Sequence, residues 1–237
     1  MTKISVLVPF GATLDAAGKH RAEVWRWCSK QWDAMRNRGL VDEIVVGHDP
    51  LFGKREYERV IEPVVDRDFR PPPLYDLIPF SVARALNDAA KHAHGEHFLL
   101  FGADHVPDAR AIEWATHQLR GYAFARIYDR VAYATEAATR LILHGTVLPL
   151  EAADWHVHPA PCPGVLGVWR AAFEAAGGLD ERYEGWGYED TAFLDTLARG
   201  LRGTMGPSGY VLRELWHDGA ARDLAGRNAE LYRKGSQ

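Results

Sequence analysis

The segment Gly177-Gly178-Leu179-Asp180-Glu181-Arg182-Tyr183-Glu184-Gly185-Trp186-Gly187-Tyr188-Glu189-Asp190 concentrates the residue types that do chemistry. Adjacent carboxylates at Glu189 and Asp190 can take a proton from a hydroxyl held within hydrogen-bond reach. A turn needs glycine where φ is positive or where another group approaches the backbone closely. Neither need explains an indole between two glycines. Trp186 there suggests an aromatic platform beside a catalytic or acceptor-binding carboxylate. The dipole of a helix opening at Glu189 would account for the acids, but not for Gly185-Trp186-Gly187. Two further acids, Asp49 and Asp104, follow short apolar runs, and His217 follows another.

These residues need elements to hold them. Ile4 to Pro9 is an apolar run stopped by proline, which predicts a buried strand. Val24, Cys28, Trp32 and Met35 recur at helical spacing, with Gly39 as C-cap. Glu43 to Gly47 is a second strand, running into the turn His48-Asp49-Pro50. Strand, helix and strand at this spacing imply a parallel sheet with a right-handed crossover. Arg70-Pro71-Pro72-Pro73 must be extended. Ser81 can N-cap a helix bearing Val82, Leu86, Ala89, Ala90 and Ala93. His97 to Phe101 is a third strand, ending at Gly102-Ala103-Asp104, and a helix with Ile112, Ala115, Thr116 and Leu119 follows.

The second half is less regular. Residues 122–128 and 130–136 predict an antiparallel pair or a strand and a turn, and 144–163 predicts irregular chain. Val165 to Trp169 reads as a strand and Arg170 to Ala176 as a short helix. After the acidic pair, a helix carrying Ala192, Phe193, Leu197 and Ala198 ends at Gly200. Tyr210 to Trp216 is a last strand and 220–233 a last helix. Ligands of open α/β sheets bind beyond the C-terminal ends of strands, where Asp49 and Asp104 fall.

With 237 residues and 47% hydrophobic content, the chain can bury a substantial core. A formal charge of −4 gives no general attraction to phosphate backbones, so nucleic acid is not an expected partner. An anionic donor would need a cation or a local basic patch. Cys28 and Cys162 lack metal-ligand spacing and read as free thiols. His92, His94 and His97, like His156 and His158, read as surface residues, with His156 or His158 lining a donor or acceptor loop. No run approaches the roughly 20 apolar residues of a membrane helix, and the N-terminus reads as a strand rather than a signal peptide.

Gly-Gly-x-Asp-Glu followed by Gly-Trp-Gly-x-Glu-Asp resembles the motif of nucleotide-sugar-dependent glycosyltransferases with the GT-A fold. The likeness is closest to β-1,4-galactosyltransferases and polypeptide N-acetylgalactosaminyltransferases, within a group that includes the family 2 enzymes. It runs in the family's order from the first strand through His217. It implies an α/β, Rossmann-like, mostly parallel central sheet flanked by helices in a single domain. Residues 1–107 would form the nucleotide-binding half and 108–237 the acceptor and catalytic half. By resemblance Asp190 is the general base, Glu189 binds donor or acceptor hydroxyls, and Trp186, Gly187 and Tyr188 meet the acceptor sugar.

Pro9 and Asp49 would line the nucleotide. Arg84-Ala85-Leu86-Asn87 resembles the family's Arg-x-x-Asn helix, whose Arg and Asn sit near the donor phosphates or sugar. The family's Asp-x-Asp is here Gly102-Ala103-Asp104, without the first acid. Asp104 and His217 would hold Mn²⁺ (or Mg²⁺), with Asp218 in reserve; an imidazole ligand favours Mn²⁺. The implied reaction is metal-dependent, inverting transfer from a UDP-sugar to a hydroxyl of a protein, glycan or other compound. Many relatives are anchored in Golgi membranes; with no membrane-length apolar run, this chain is expected to be cytoplasmic, as a bacterial or phage version would be. A retaining transferase on the same scaffold and a non-catalytic carbohydrate-binding module are the alternatives. A nucleotidyltransferase should carry a glycine-rich basic loop after the first strand, where Phe10-Gly11-Ala12-Thr13-Leu14 stands instead.

Overall fold

The computed structural model describes residues 2–11, 16–49, 67–68, 79–149, 154–158, 164–206, 208–217 and 224–235. The prolines at 71–73, Cys162, Asp218 and residues 12–14 lie outside these. The first half runs β1 (Ile4–Pro9), α1 (Ala16–Asn37), β2 (Glu43–Gly47), β3 (Arg67–Asp68), α2 (Val82–His92), β4 (His97–Leu100), β5 (His105–Val106) and α3 (Ala109–Gln118). Next come β6 (Phe124–Arg126), β7 (Arg130–Ala134), α4 (Glu136–Leu143), β8 (Trp155–His158), β9 (Leu166–Trp169) and α5 (Arg170–Ala175). The chain finishes with α6 (Glu189–Gly200), β10 (Gly203–Thr204), β11 (Val211–Glu214) and α7 (Ala225–Gly235).

The larger sheet has the order β10-β6-β9-β4-β1-β2-β3. β1 lies parallel to both β2 and β4, and β9 runs antiparallel to β4 and β6. The expected α/β sheet, mostly parallel and flanked by helices, is present. Its apolar runs alternate between two cores. Val6, Val8, Ile44, Val46 and Leu99 face the side of α1 and α3, whereas Leu7, Val45, Phe98 and Leu100 face that of α2, α5 and α6. A strand packed on both faces needs such an unbroken apolar run.

Residues 122–128 and 130–136 do not form the expected pair. β6 belongs to the large sheet, while β7 joins a second sheet of order β5-β11-β7-β8. There β7 is parallel to β11 and antiparallel to β8. The chain switches sheets at Ile127-Tyr128-Asp129, where Ile127 N–H bonds Val165 O and Asp129 N–H bonds Tyr210 O. Position 136 starts a helix capped by Thr135, and the stretch read as irregular contains β8. Both elements are short, so each shows only about two repeats of its period in sequence.

Two packing details position the site. A Cβ at Gly47 would lie 1.8 Å from the Ala85 carbonyl oxygen, so α2 rests directly on the end of β2. Ser81 caps α2, accepting from Arg84 N at 3.2 Å, as its sequence position predicts. Among the described residues, no helix is long and apolar enough to cross a membrane.

Candidate functional site

β4 ends at Leu100, and the chain turns through Gly102 into Asp104 and the short strand β5. β5 pairs antiparallel with β11, setting Glu214 opposite His105, and Leu215 N–H bonds Asp104 O at 3.0 Å. The residues just past β11 are thereby carried to the same corner. Trp216 N–H is fixed by the buried Thr139 hydroxyl at 2.8 Å, and His20 bonds the Trp216 carbonyl. His217 Nε2 then lies 2.9 Å from Asp104 Oδ2. An ionised carboxylate only accepts, so His217 donates here, while its Nδ1 faces Arg21 at 3.5 Å.

Two residues that sequence reasoning missed complete this corner. Ligand atoms of Asp104, His105 and Glu214 lie within 4.8 Å of one another, a group able to hold a metal ion. His105 Nδ1 accepts from Gly102 N–H at 2.8 Å, which puts the proton of the neutral ring on Nε2, facing both carboxylates. Both imidazoles present Nε2–H to carboxylates here, so a cation held by Asp104, Glu214 and either His105 or His217 would displace a ring proton. Burial works against the Asp104 carboxylate, but the His217 hydrogen bond and the charge of both imidazoles hold it well below the usual range. Burial, and then the Asp104 charge, push Glu214 up. Burial lowers His105, yet Glu214 and Asp104 outweigh it and raise the ring's pKa. Spacing alone hides this set, because Glu214 follows Arg213 and reads as an ordinary charged strand position.

The acidic pair opens α6. Asp190 Oδ1 accepts from Thr191 N at 2.6 Å and from the Thr191 hydroxyl at 3.2 Å. Its Oδ2 lies where a Cβ on Gly164 would come within 3.1 Å. Glu189 Oε2 is buried and has no partner among the described residues. Burial, and then the Asp190 charge, push Glu189 up to about 7, and burial also raises Asp190. β9 runs antiparallel to β4, pairing Leu99 with Gly167, so Gly164, just before β9, lies at the end of the sheet where β4 finishes. A Cβ on Gly102 would meet Asp104 Oδ1 at 2.6 Å. The two acidic corners therefore share the carboxyl edge of the parallel strands, each against a residue without a side chain.

Asp49, Arg84 and Asn87 are engaged with other parts of the chain. Asp49 is 1% exposed. Its oxygens lie 2.7 and 2.8 Å from Arg84 Nε and NH2, and Oδ2 also accepts from Ser81 N at 2.7 Å. Both of its oxygens are thus engaged by protein donors. Arg84 continues to Glu184 Oε1 at 3.2 Å and Pro79 O at 3.0 Å rather than to open surface. Asn87 donates to Leu179 O and Glu181 Oε1 and accepts from Leu179 N, at 2.8, 2.9 and 2.9 Å. Through these contacts the three residues tie α2 and the end of β2 to the glycine-rich loop. Pro9, at the end of β1, pairs in register with Gly47.

The loop itself is pinned along its length. Ser81 Oγ donates to Tyr183 O at 2.8 Å, and Gly185 N–H donates to Phe80 O at 2.9 Å. Gly178, at φ +74°, passes so close to Asn87 that a Cβ would lie 2.4 Å from Oδ1. Asn228 of α7, fully buried, donates to Glu184 O and Trp186 O at 2.8 and 3.1 Å. Trp186 ends 51% exposed. His94, His156 and His158 are exposed, as their sequence context predicts. Cys28 is a buried free thiol whose pKa burial pushes up.

Residues 150–205 match the family model described as the N-terminal domain of galactosyltransferase. No curated protein matches the chain by sequence. Solved structures that it resembles include glycosyltransferases. One is the Drosophila β-1,4-galactosyltransferase 7 in complex with manganese, UDP-Gal and xylobiose, at 15% identity and TM-score 0.53, covering 98% of this chain and 80% of that one. Another is glucosyl-3-phosphoglycerate synthase from Mycobacterium tuberculosis with Mn²⁺, UDP and phosphoglyceric acid, at 16% identity and TM-score 0.52, covering 99% and 77%. A third is the mannosyltransferase PcManGT from Pyrobaculum calidifontis with GDP-Man and Mn²⁺, at 19% identity and TM-score 0.51, covering 90% and 56%. At these identities the likeness is one of fold.

Proposed function

We propose that this GT-A glycosyltransferase moves a sugar from a UDP-sugar to an acceptor hydroxyl with inversion, using Asp190 as general base. One observation carries the reading: the Asp104–His217 pair and the Glu189–Asp190 pair share one edge of the sheet. Inverting transfer needs a base on one side of the sugar and charge neutralisation on the other, where the diphosphate leaves. Asp190 accepts the proton of the acceptor hydroxyl as that oxygen attacks the anomeric carbon. Thr191 holds the Asp190 carboxylate through Oδ1, which leaves Oδ2 for the acceptor.

Glu189 keeps its proton to about pH 7, so it can donate to a sugar hydroxyl as well as accept from one. Asp104, His217 and Glu214 would hold Mn²⁺ or Mg²⁺; carboxylate and imidazole donors suit Mn²⁺ best, and the ion would neutralise the departing diphosphate as a Lewis acid. Residues 1–107 supply the nucleotide side and 108–237 the acceptor side, apart from Glu214 and His217, which return to the diphosphate. Asp49, Arg84 and Asn87 act on the reaction through the loop they hold.

A panel of UDP-sugars with GDP-mannose tests this, with Mn²⁺ or chelator, scoring nucleoside diphosphate release. Release from a UDP-sugar that chelator abolishes is the expected result; no release from any donor would overturn the reading. The anomeric configuration of the product, read by NMR, decides between inversion and retention.

A further inference from the structure

Among the described residues of α7 the fully buried one is an asparagine, Asn228. Its Nδ2 donates to Glu184 O and Trp186 O at 2.8 and 3.1 Å. Its Oδ1 is buried without a partner among the described residues. A buried amide with one end unsatisfied costs stability, so packing alone does not account for it. The Trp186 carbonyl belongs to the same planar peptide unit as the Gly187 N–H. That N–H, together with the N–H of Glu189, lies against the Glu189 carboxyl and pulls against the burial that raises its pKa. Asn228 and Glu189 therefore hold opposite sides of one peptide plane.

Gly187 stands at φ +102° and Tyr188 at +73°. Glycine accepts either sign of φ, so the peptide before Gly187 can turn over at little steric cost. Turned over, it would present a carbonyl to Glu189 and withdraw a donor. The helix that prevents this is itself tied down on either side of Asn228. Arg227 pairs with Glu184 at 2.7 Å, and the Tyr232 hydroxyl donates to Asp195 of α6. We propose that Asn228 is a positioning residue for the acidic pair, latching the Trp186–Gly187 peptide so that its N–H stays turned toward the Glu189 carboxyl. This rests on the reading of Glu189 and Asp190 as the carboxylates of the transfer. Asn228 acts through Glu189 and not on the substrate.

The test follows the Glu189 carboxyl by ¹³C NMR across pH in the full chain, its signal assigned by its absence in Glu189→Gln. Asp190 of α6, Tyr183 of the loop and, beside Tyr183, Tyr232 of α7 are the titratable groups around it, and the other variants keep all three. Asn228→Leu keeps the branched shape and removes the donor. Glu189 should then titrate about one pH unit higher, the scale of one hydrogen bond to a charged group. Turnover should fall about tenfold while UDP affinity with Mn²⁺ stays the same. Where leucine does not fold, Asn228→Ala, which cannot clash, gives the same reading. Arg227→Met cuts a neighbouring tie of the same helix but leaves the peptide latched, so the titration and turnover of the parent should persist. An unchanged or lower Glu189 titration in Asn228→Leu, or an equal rise in Arg227→Met, would overturn the latch. A raised titration without loss of turnover would overturn its part in the reaction. If the parent chain transfers no sugar, the reading of the previous section falls, while the titration still decides whether Asn228 sets Glu189.

Discussion

His217 and Asp104, 113 residues apart in sequence, meet at 2.9 Å because β5 and β11 pair immediately before and after them. The contact joins the turn after β4 in the large sheet to the end of β11 in the small one. His217→Ala should raise the Mn²⁺ concentration for half-maximal activity by about tenfold or more. Asp104→Asn should do so more severely, because it also removes a charge. A metal titration identical to that of the parent chain would exclude either residue as a ligand.

Asp190→Asn keeps the shape of the side chain and removes its basicity. Transfer should fall by roughly a hundredfold or more, while UDP affinity measured by calorimetry with Mn²⁺ stays the same. Comparable turnover in the variant would remove Asp190 as the base.

The Glu189–Asp190 pair gives a stability prediction with a defined sign. Glu189 titrates at about 7 in the folded chain against an ordinary value of 4.5. Across that window the folded state binds a proton that the unfolded state has released, so stability falls as pH rises. Glu189→Gln removes the term. The variant should gain on the parent from pH 4.5 upward, by about 3 kcal/mol above pH 7, in urea denaturation. A pH-independent difference would contradict the assignment.

The acid limb of the rate profile should report Asp190, whose pKa burial raises. Glu189 is still neutral when Asp190 ionises, and Gln is neutral as well. The limb should therefore stay in place in Glu189→Gln, and a shift toward lower pH would reverse the order of ionisation.

Arg84→Met leaves Asp49 buried without its bidentate partner. Loss of about 3–5 kcal/mol is expected, with faster hydrogen exchange at residues 179–185. Asp49→Asn combined with Arg84→Met should recover part of that loss, since the stranded charge is gone. Equal destabilisation by the single and double variants would show that the pair is not what holds the loop.

Strong local patterns made much of this architecture readable. The apolar runs of β1, β2 and β4 and the Ser81 and Gly39 caps are local signals, and each stands where its residues predict. The neighbourhood of Asp104 and His217 followed from two strand ends. The partners of Asp49, Arg84 and Asn87 did not, because a charged helix residue looks the same in sequence whether it meets a phosphate or Glu184. Glu214 and His105 were hidden for a related reason: strand register, which brings them opposite each other, is not written locally. Asn228 and Tyr232 sit in a charged C-terminal helix with little apolar pattern to mark its inner face.

Gly47 gives the site its reference frame. With the Ala85 carbonyl lodged where a side chain would stand, α2 can neither roll nor slide on β2 without a collision of main-chain atoms. Arg84 and Asn87 lie on either side of that contact point, and both reach to the loop before α6. The height of Trp186 above the sheet is therefore set by a missing methyl group more than 130 residues earlier in the chain. Variation that tunes acceptor choice can act freely at the rim of the loop, but any change that lifts α2 would displace the whole platform at once.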